Sequence, residues 1–375
     1  MHNIYCILLG AGASMDAGVP TSKSLLAKYQ GQAPRRFRCT VEEIENELKT
    51  SIKYVRPELN IEDVAKEADK RKLTWLYDDI KRFTLKEVSH HTDSSYLATL
   101  YSLNLDAHYG YALDGKPMWK RVHINGYPLG PTTTRVFSLN YDMTVEDAIQ
   151  SHDPYRGLFS WDQEKKKYFF RPEGRFNNTI GIIEDLPDQF SGEHISVAHN
   201  GLYKLHGSLS WNYNRLGKLQ TLAYGRSIGP KPVVIFGQQE KQRLTYPFNE
   251  LFYAFSKSIS ISQALIVIGY AWADRHINDI IYQEISRGMK LIDVSIPDPK
   301  KLDHDNKFPD DAIYVKSSAL RALLGKDVDV SCGQGKWKSQ KGGLVGVVRE
   351  ILHKQLWKTD KEWETYRNGL KRKRK

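Results

Sequence analysis

Gly10, Gly12 and Gly18 punctuate the stretch YCILLGAGASMDAGVP, in which an apolar run ending at Leu9 breaks into small residues. A strand that ends in Gly10-Ala11-Gly12 turns sharply and lets an anion approach peptide N–H groups, while a following helix directs its positive end at that anion. Phosphate binding is the chemistry such a loop offers; a tight turn after a buried strand is the other reading of the same glycines. Two nucleotide motifs do not fit. In G-x-G-x-x-G the third glycine would stand where Met15 is, and no second strand ends in an acid about 20 residues on; residues 30–39 are basic instead. In G-x-x-x-x-G-K-[ST] the lysine follows glycine, whereas Lys23 follows Ser22. Hydride transfer and ATP hydrolysis are therefore disfavoured.

Such a loop needs a scaffold. NIYCILLG, RVFSLN, LYKLHG, PVVIFG, ALIVIGY and LIDVSIP are short apolar runs bounded by glycine, proline or polar turns, and they predict buried strands. ALIVIG has the continuous apolarity of a parallel strand covered on both faces. FNELFYAFSKSISIS precedes it as a helix, and DRHINDIIYQEISRG follows as another, with Asp274 as the expected N-cap and Gly288 at the far end. Strand alternating with helix implies an α/β core. Between about 41 and 113 the pattern changes. Ile44, Leu48, Ile52 and Val55, then Leu73, Leu76, Ile80 and Phe83, follow helical spacing and predict a mostly helical insertion. Residues 151–200 read as loops with a few short elements, CGQGKWKSQKGG as a linker, and LVGVVREILHKQLW as an amphipathic helix before the basic end KRKRK. The expected organisation is an α/β domain over 1–330 and a C-terminal extension over 331–375.

Composition limits the function classes. A chain of 375 residues that is 40% hydrophobic buries a large core, so disorder throughout is excluded. The formal charge of +11 favours an acidic partner, whether nucleic acid, acidic protein surface or small polyanion. Cys6, Cys39 and Cys332 lie far apart, which supplies neither a disulfide framework nor a four-cysteine zinc site, and a reducing cytoplasm is the expected compartment. No run of about 18 apolar residues and no leader pattern occurs, so no membrane association is expected.

GAGASMDAGVP resembles the G-A-G-x-S-x-x-A-G-I-P signature of the sirtuin family, with Gly10, Ala11, Gly12, Ser14, Ala17, Gly18 and Pro20 matching. In the family's order follow SLNYD, which resembles its N-x-D segment, and KLHGS, which resembles its H-G segment. LIVIGYAWADRHINDII is similar to the G-Y-S-x-x-D-x-x-I-N stretch of bacterial sirtuin-like NAD hydrolases, with Ala271 in place of the serine. Two departures divide the family. The paired cysteines of the deacylase zinc ribbon are missing, and Thr21-Ser22-Lys23 replaces the phenylalanine-arginine that follows G-I-P in deacylases. The resemblance therefore implies a sirtuin-like α/β fold, with a Rossmann-like, mostly parallel sheet and no zinc ribbon, and the branch that consumes NAD in antiphage defence by abortive infection.

What it implies for chemistry is cleavage of NAD, as substrate, to nicotinamide and ADP-ribose, with no metal. The leaving group is already a pyridinium, so no general acid is needed; an anchor for the diphosphate, groups on the ribose and a base or polar group for water are. His206, within the H-G match, is the expected base or positioning group, with Gly207 leaving room for the ribose. Asn140 is the second catalytic candidate, because its amide both donates and accepts. Gly10, Ala11, Gly12, Ser14, Gly18, Asp142, Gly269 and Tyr270 are the expected cofactor contacts. For several of them a structural role stands beside the functional one: Asp142 as a turn aspartate, Ser14 as a helix cap, Tyr270 as packing. Asp16 is expected to cap, and Asp274 and Asn278 to be structural.

A free NAD hydrolase is toxic, so gating by a partner is expected. The 45 residues beyond position 330 are fewer than the roughly 50 of a small domain, which places the sensor on another chain. The resemblance points to a homo-oligomer paired with a HerA-type ATPase, an Argonaute-type partner being the alternative. The basic tail offers a contact for DNA or for that partner. A protein deacylase or ADP-ribosyltransferase, and an NAD- or ADP-ribose-sensing subunit of a DNA-binding complex, are the competing functions.

Overall fold

The computed structural model describes residues 4–51, 59–100, 123–124, 127–128, 133–151, 159–162, 167–170, 201–213, 215, 219–221, 231–237, 247–296, 312–332 and 338–348. Ile52, Val55, residues 101–113 of the expected insertion, most of 151–200 and the basic tail fall outside them.

Ten strands matter to the argument: β1 (Ile4–Leu9), β2 (Thr133–Ser138), β3 (Gly201–Lys204), β4 (Gly207–Ser208), β5 (Val233–Val234), β6 (Ala264–Ile268), β7 (Lys290–Ser295), β8 (Ile313–Lys316), β9 (Val328–Cys332) and β10 (Lys338–Gln340). Eight of them form one sheet in the order β10-β9-β8-β7-β6-β1-β2-β3. From β3 to β8 every pairing is parallel, and β9 and β10 close the far edge antiparallel. Numbered along the chain, the six parallel strands stand 3-2-1-4-5-6, so the strand order reverses between β1 and β6. That is the Rossmann order, and in open α/β sheets ligands bind at the carboxyl ends of the strands where it reverses. The apolar runs explain the arrangement: all five residues of β6 are buried, as a strand covered on both faces requires.

Helices cover both faces. Helices α1 (Ser22–Gln32), α2 (Arg35–Ser51), α3 (Ile61–Lys70) and α4 (Thr74–Glu87) follow β1, and α5 (Thr144–Ser151) follows β2. Helices α6 (Phe248–Ser260) and α7 (Arg275–Ser286) flank β6, and the short α8 (Ala319–Leu323) follows β8. One face buries Ile7, Leu9, Val136 and Ile266 under α5 and α8; the other buries Leu8, Phe137, Leu265 and Val267 under α6 and α7. Alternation along each strand sends successive side chains to opposite layers. A third core, formed by Leu25, Tyr29, Ile44, Ile61, Leu76 and Ile80, reaches Tyr141, Leu209 and Phe236, so the α1–α4 layer packs on the segments that follow β2 and β3.

Four sequence expectations change. Helix begins at Ser22, well before position 41: Thr21 caps it by accepting from Ser24 N–H at 3.3 Å. The glycine loop leads not into an α-helix but into two 3-10 turns, Ala11–Ala13 and Met15–Ala17, because Gly18 at φ 84° and then Pro20 break the chain before Thr21. PVVIFG yields a buried strand of only two residues, and outside the main sheet: β5 pairs antiparallel with β4, and the rest of the run buries Ile235 and Phe236. The expected linker supplies β10, and Leu344 and Val347 beyond it are buried in the same core as β1. No helix among the described residues is long and apolar enough to cross a membrane.

Candidate active site

The register of the sheet brings the candidate residues to one edge. Leu9 pairs with Ser138 on one side and Ile268 on the other, and Ser138 pairs with Lys204. Gly10 and Gly269 therefore follow their strands side by side, and Asn140 and His206 each stand two residues past the Ser138–Lys204 pair. All four lie at the carboxyl ends of the strands, on or beside the β1/β6 reversal.

The glycines are required by backbone meeting backbone. Gly10 N–H donates to Ile268 O at 3.0 Å and Gly12 N–H to Gly269 O at 2.9 Å. A Cβ on Gly10 would stand 2.5 Å from Tyr270 Cα, and one on Gly269, at φ 63°, would stand 2.4 Å from Ala13 N. Both readings of the loop thus gain content: the glycines close β1 onto β6, which commits the Gly10 and Gly12 amides to the protein. Ala11 opens the first 3-10 turn, and Gly18 is an exposed left-handed turn residue whose neighbour Ala17 O accepts from Thr92 Oγ1 at 3.0 Å. Asp16 caps, as expected, but a remote helix: its Oδ2 accepts Leu320 N–H, in the first turn of α8, at 2.9 Å.

Asn140 ties β2 to the loop. Its Nδ2 donates to Gly10 O at 2.9 Å and to Ser14 Oγ at 3.1 Å. A carbonyl only accepts, so Gly10 O fixes which amide atom faces it, and Asn140 presents Oδ1 on its other side. Ser14 is fully buried and makes no helix-capping bond. Its hydroxyl donates to Asp142 Oδ1 at 3.2 Å and lies 2.9 Å from Thr144 Oγ1. Asp142 Oδ1 also accepts Thr144 N–H at 3.0 Å and the Thr144 hydroxyl, the geometry of an Asx turn at the start of α5. The turn role of Asp142 and a buried bracing role for Ser14 are the ones the geometry supports.

Sequence reasoning missed the layer beneath. Lys204 is buried, with Nζ 3.1 Å from Glu146 Oε1 and bonded to Asp142 O. Burial pushes the Glu146 carboxyl above its ordinary range, and the Lys204 ammonium opposes this. Thr144 and Glu146 were legible as a D-x-T-x-E run opening a helix, and Lys204 as the polar residue of an apolar strand two positions before His206.

His206 is 3% exposed. Its carbonyl accepts Ile235 N–H at 2.9 Å, and its ring lies among Tyr141, Phe252 and His276, with centroids 6.4, 6.3 and 6.2 Å away. Tyr141 is pinned by donating to Ile235 O at 2.9 Å. Gly207 does not leave open space: at φ 84°, a Cβ there would stand 2.1 Å from Val233 O, so the glycine admits β5.

On the β6 side Tyr270 packs inward. Its hydroxyl donates to Asn278 Oδ1 at 2.9 Å and accepts Asp274 N–H at 3.1 Å, while Asn278 Nδ2 holds Trp272 O at 2.9 Å. Asn278 is structural, as expected, a buried bracket on the loop after β6. Asp274 occupies the N-cap position of α7 without a side-chain capping bond, and Gly288 ends that helix at φ 100°. Trp272, at φ 54°, donates Nε1–H to Asp293 Oδ2 at 2.9 Å. Burial raises the Asp293 carboxyl to about 7, against that one hydrogen bond. Among the described residues, no group of three or more His, Cys, Asp or Glu side chains is placed to hold a metal ion.

No curated protein matches the chain in sequence. Among solved structures it is similar to a Sir2 homologue in complex with NAD, at 13% identity over 93% of this chain and 90% of that one, with a TM-score of 0.44. It is likewise similar to a mutant Sir2 homologue in complex with 2′-O-acetyl-ADP-ribose, at 13% identity over 93% of each chain and a TM-score of 0.42. Sir2Tm bound to a propionylated peptide follows at 12% identity, 86% of this chain and 90% of that one, with a TM-score of 0.35. Residues 134–304, which carry Asn140, His206 and strands β3 to β7, match the family model of the SIR2-like domain.

Proposed function

We propose that this chain is an NAD glycohydrolase that binds NAD across the β1/β6 reversal and splits the bond between nicotinamide and ribose. The observation that carries the reading is the placement of Asn140 and His206, each two residues past the paired ends of neighbouring strands, at the sheet edge that also carries the glycine loops of the strand-order reversal. The match of residues 134–304 to the SIR2-like domain supports NAD as the substrate.

In this reading the C1′–N bond breaks with its electron pair passing to the pyridinium nitrogen, which leaves as neutral nicotinamide. Water adds to C1′ and gives up a proton, so NAD and water become nicotinamide, ADP-ribose and a proton. Asn140 Oδ1, held by the amide's bonds to Gly10 O and Ser14 Oγ, accepts from a ribose hydroxyl or the water. His206, in its aromatic surround, takes the proton. The setting we infer is antiphage defence: NAD depletion under control of a HerA-type ATPase, with an oligomer of this chain in the cytoplasm and the basic excess facing DNA or that partner.

The test is a product-resolved NAD assay on the chain, with and without an acetyl-lysine peptide, beside Asn140→Ala and His206→Ala. Peptide-independent release of nicotinamide and ADP-ribose, reduced about 100-fold or more in both variants, is the expected result. Cleavage that requires the peptide sinks the hydrolase in favour of a deacylase.

A further inference from the structure

We propose that Lys204 is a positioning residue of the hydrolase, whose ammonium fixes the separation of Asn140 and His206 by tying the strand that ends before His206 to the turn that follows Asn140. This rests on the NAD hydrolase reading and deepens it. Lys204 stands two residues before His206, and Asp142 two residues after Asn140. Lys204 Nζ donates to the Asp142 carbonyl oxygen, so one side chain bridges the two segments. The alternation of β3 puts it there: Leu202 packs with Val145 and Ala148 of α5, Tyr203 against the opposite layer, and Lys204 returns to the α5 side, where Glu146 Oε1 lies 3.1 Å from its ammonium.

The backbone joins the two segments on either side of the candidate pair. Leu205 N–H donates to Ser138 O at 2.9 Å, one step past the last register pair, and the segments meet again where Leu209 N–H donates to Tyr141 O at 3.0 Å. Asn140 and His206 lie in the interval that Lys204 spans. The Asn140 amide is held toward β1 by Gly10 O and Ser14 Oγ, and Lys204 supplies the hold toward β3. Ser208, two residues past His206, donates Oγ–H to Glu146 Oε1 at 3.5 Å, so side chains before and after His206 both reach the helix that begins after Asn140. Lys204 is 3% exposed, and a charge so buried is costly. An apolar pair of similar volume serves stability as well as a buried ion pair does; what the ion pair adds is a fixed geometry.

The experiment compares the full chain with Lys204→Met, with Glu146→Gln and with the two combined. Lys204→Met leaves the Glu146 carboxylate without its counter-ion; the combined variant removes both charges, keeps an acceptor for Ser208 and deletes the bond to Asp142 O. Expected are a Tm lowered in Lys204→Met and recovered in the combined variant, with kcat about 10- to 100-fold down and KM nearly unchanged in both. Glu146→Gln, which leaves the ammonium on Asp142 O, is expected to lose less kcat than Lys204→Met. Amide exchange reads the tether without turnover: Leu209 N–H exchanges faster in the combined variant, and the amides of β6 do not. Recovery of kcat together with Tm, or unaltered exchange at Leu209, overturns the positioning role and leaves the hydrolase standing. A wild-type chain as inert toward NAD as His206→Ala removes the hydrolase and the catalytic consequence with it, and exchange at Leu209 then decides the tether alone.

Discussion

Asp142 and Asp293 are both buried, at 2% and 0% exposure, yet one lies on the β1–β3 half of the sheet and the other under the loop that leaves β6. Asp142 Oδ1 receives the Ser14 hydroxyl and both the amide and the hydroxyl of Thr144. Asp293 receives Trp272 Nε1–H alone, and its Oδ1 has no hydrogen-bond partner among the described residues. At similar depth the two carboxyls thus differ in the donors they receive, and burial against a single donor raises the Asp293 carboxyl to about 7. The polar groups beside β1 and β2 brace three strand ends around Asn140, whereas those beside β6 hold one loop in a strained conformation at Trp272.

The largest effect expected from this contrast is on the pH dependence of stability, and Asp293→Asn exposes it. A carboxyl raised from 3.8 to about 7 binds its proton more tightly in the folded state. The stability it contributes is complete below the unfolded value and is lost as pH rises through the folded one, a swing of up to about 4 kcal/mol. Asn neither ionises nor loses the acceptor for Trp272 Nε1–H. Denaturant midpoints of the two proteins should therefore diverge in favour of Asn between pH 4 and 8, and parallel midpoints over that range would show that Asp293 is not the contrast it is taken to be.

Asp142→Ala probes the other half. Removing the acceptor leaves the buried Thr144 N–H without its partner, while the Ser14 and Thr144 hydroxyls still reach each other at 2.9 Å. The expected cost is about 2–3 kcal/mol in urea unfolding, with Asp142→Asn, which keeps an acceptor oxygen, losing about half of that. Equal losses in both variants would mean that charge, and not the Asx turn, is what Asp142 supplies.

How far these halves were legible in the sequence follows from how local each interaction is. The apolar runs and the glycine pair predict the parallel sheet and its carboxyl-edge loop, since burial and backbone approach leave a mark in single residue types. Asn140 and His206 were legible through motifs, and their register was not, because it depends on Ser138 pairing with Lys204 across 66 positions of chain. Asp16 at α8 and His276 at His206 were illegible for the same reason: each partner lies in a distant segment and neither residue type is unusual where it stands. PVVIFG forms a buried strand as its composition predicts, but composition does not say how long the strand is or which strand it pairs with.

Asp274 marks the smallest effect and tests whether the β6 half is held by side chains or by charge at a helix end. It has the extended backbone of an N-cap, at φ −90° and ψ 97°, without the capping bond. Its N–H is held by the Tyr270 hydroxyl at 3.1 Å, and a backbone bond survives Asp274→Ala. The variant removes the attraction of a carboxylate for the positive end of α7, about 0.5 kcal/mol and reduced by salt, where a working cap costs about 1 kcal/mol. Tyr270→Phe instead removes the acceptor of Asp274 N–H and the donor to Asn278 Oδ1 at once, and is expected to cost about 1–2 kcal/mol. Thermal unfolding at low and high salt separates the two. If Asp274→Ala proved the more damaging, the loop would owe its shape to the helix end, and the bracket of Tyr270 and Asn278 would be a consequence of that shape and not its cause.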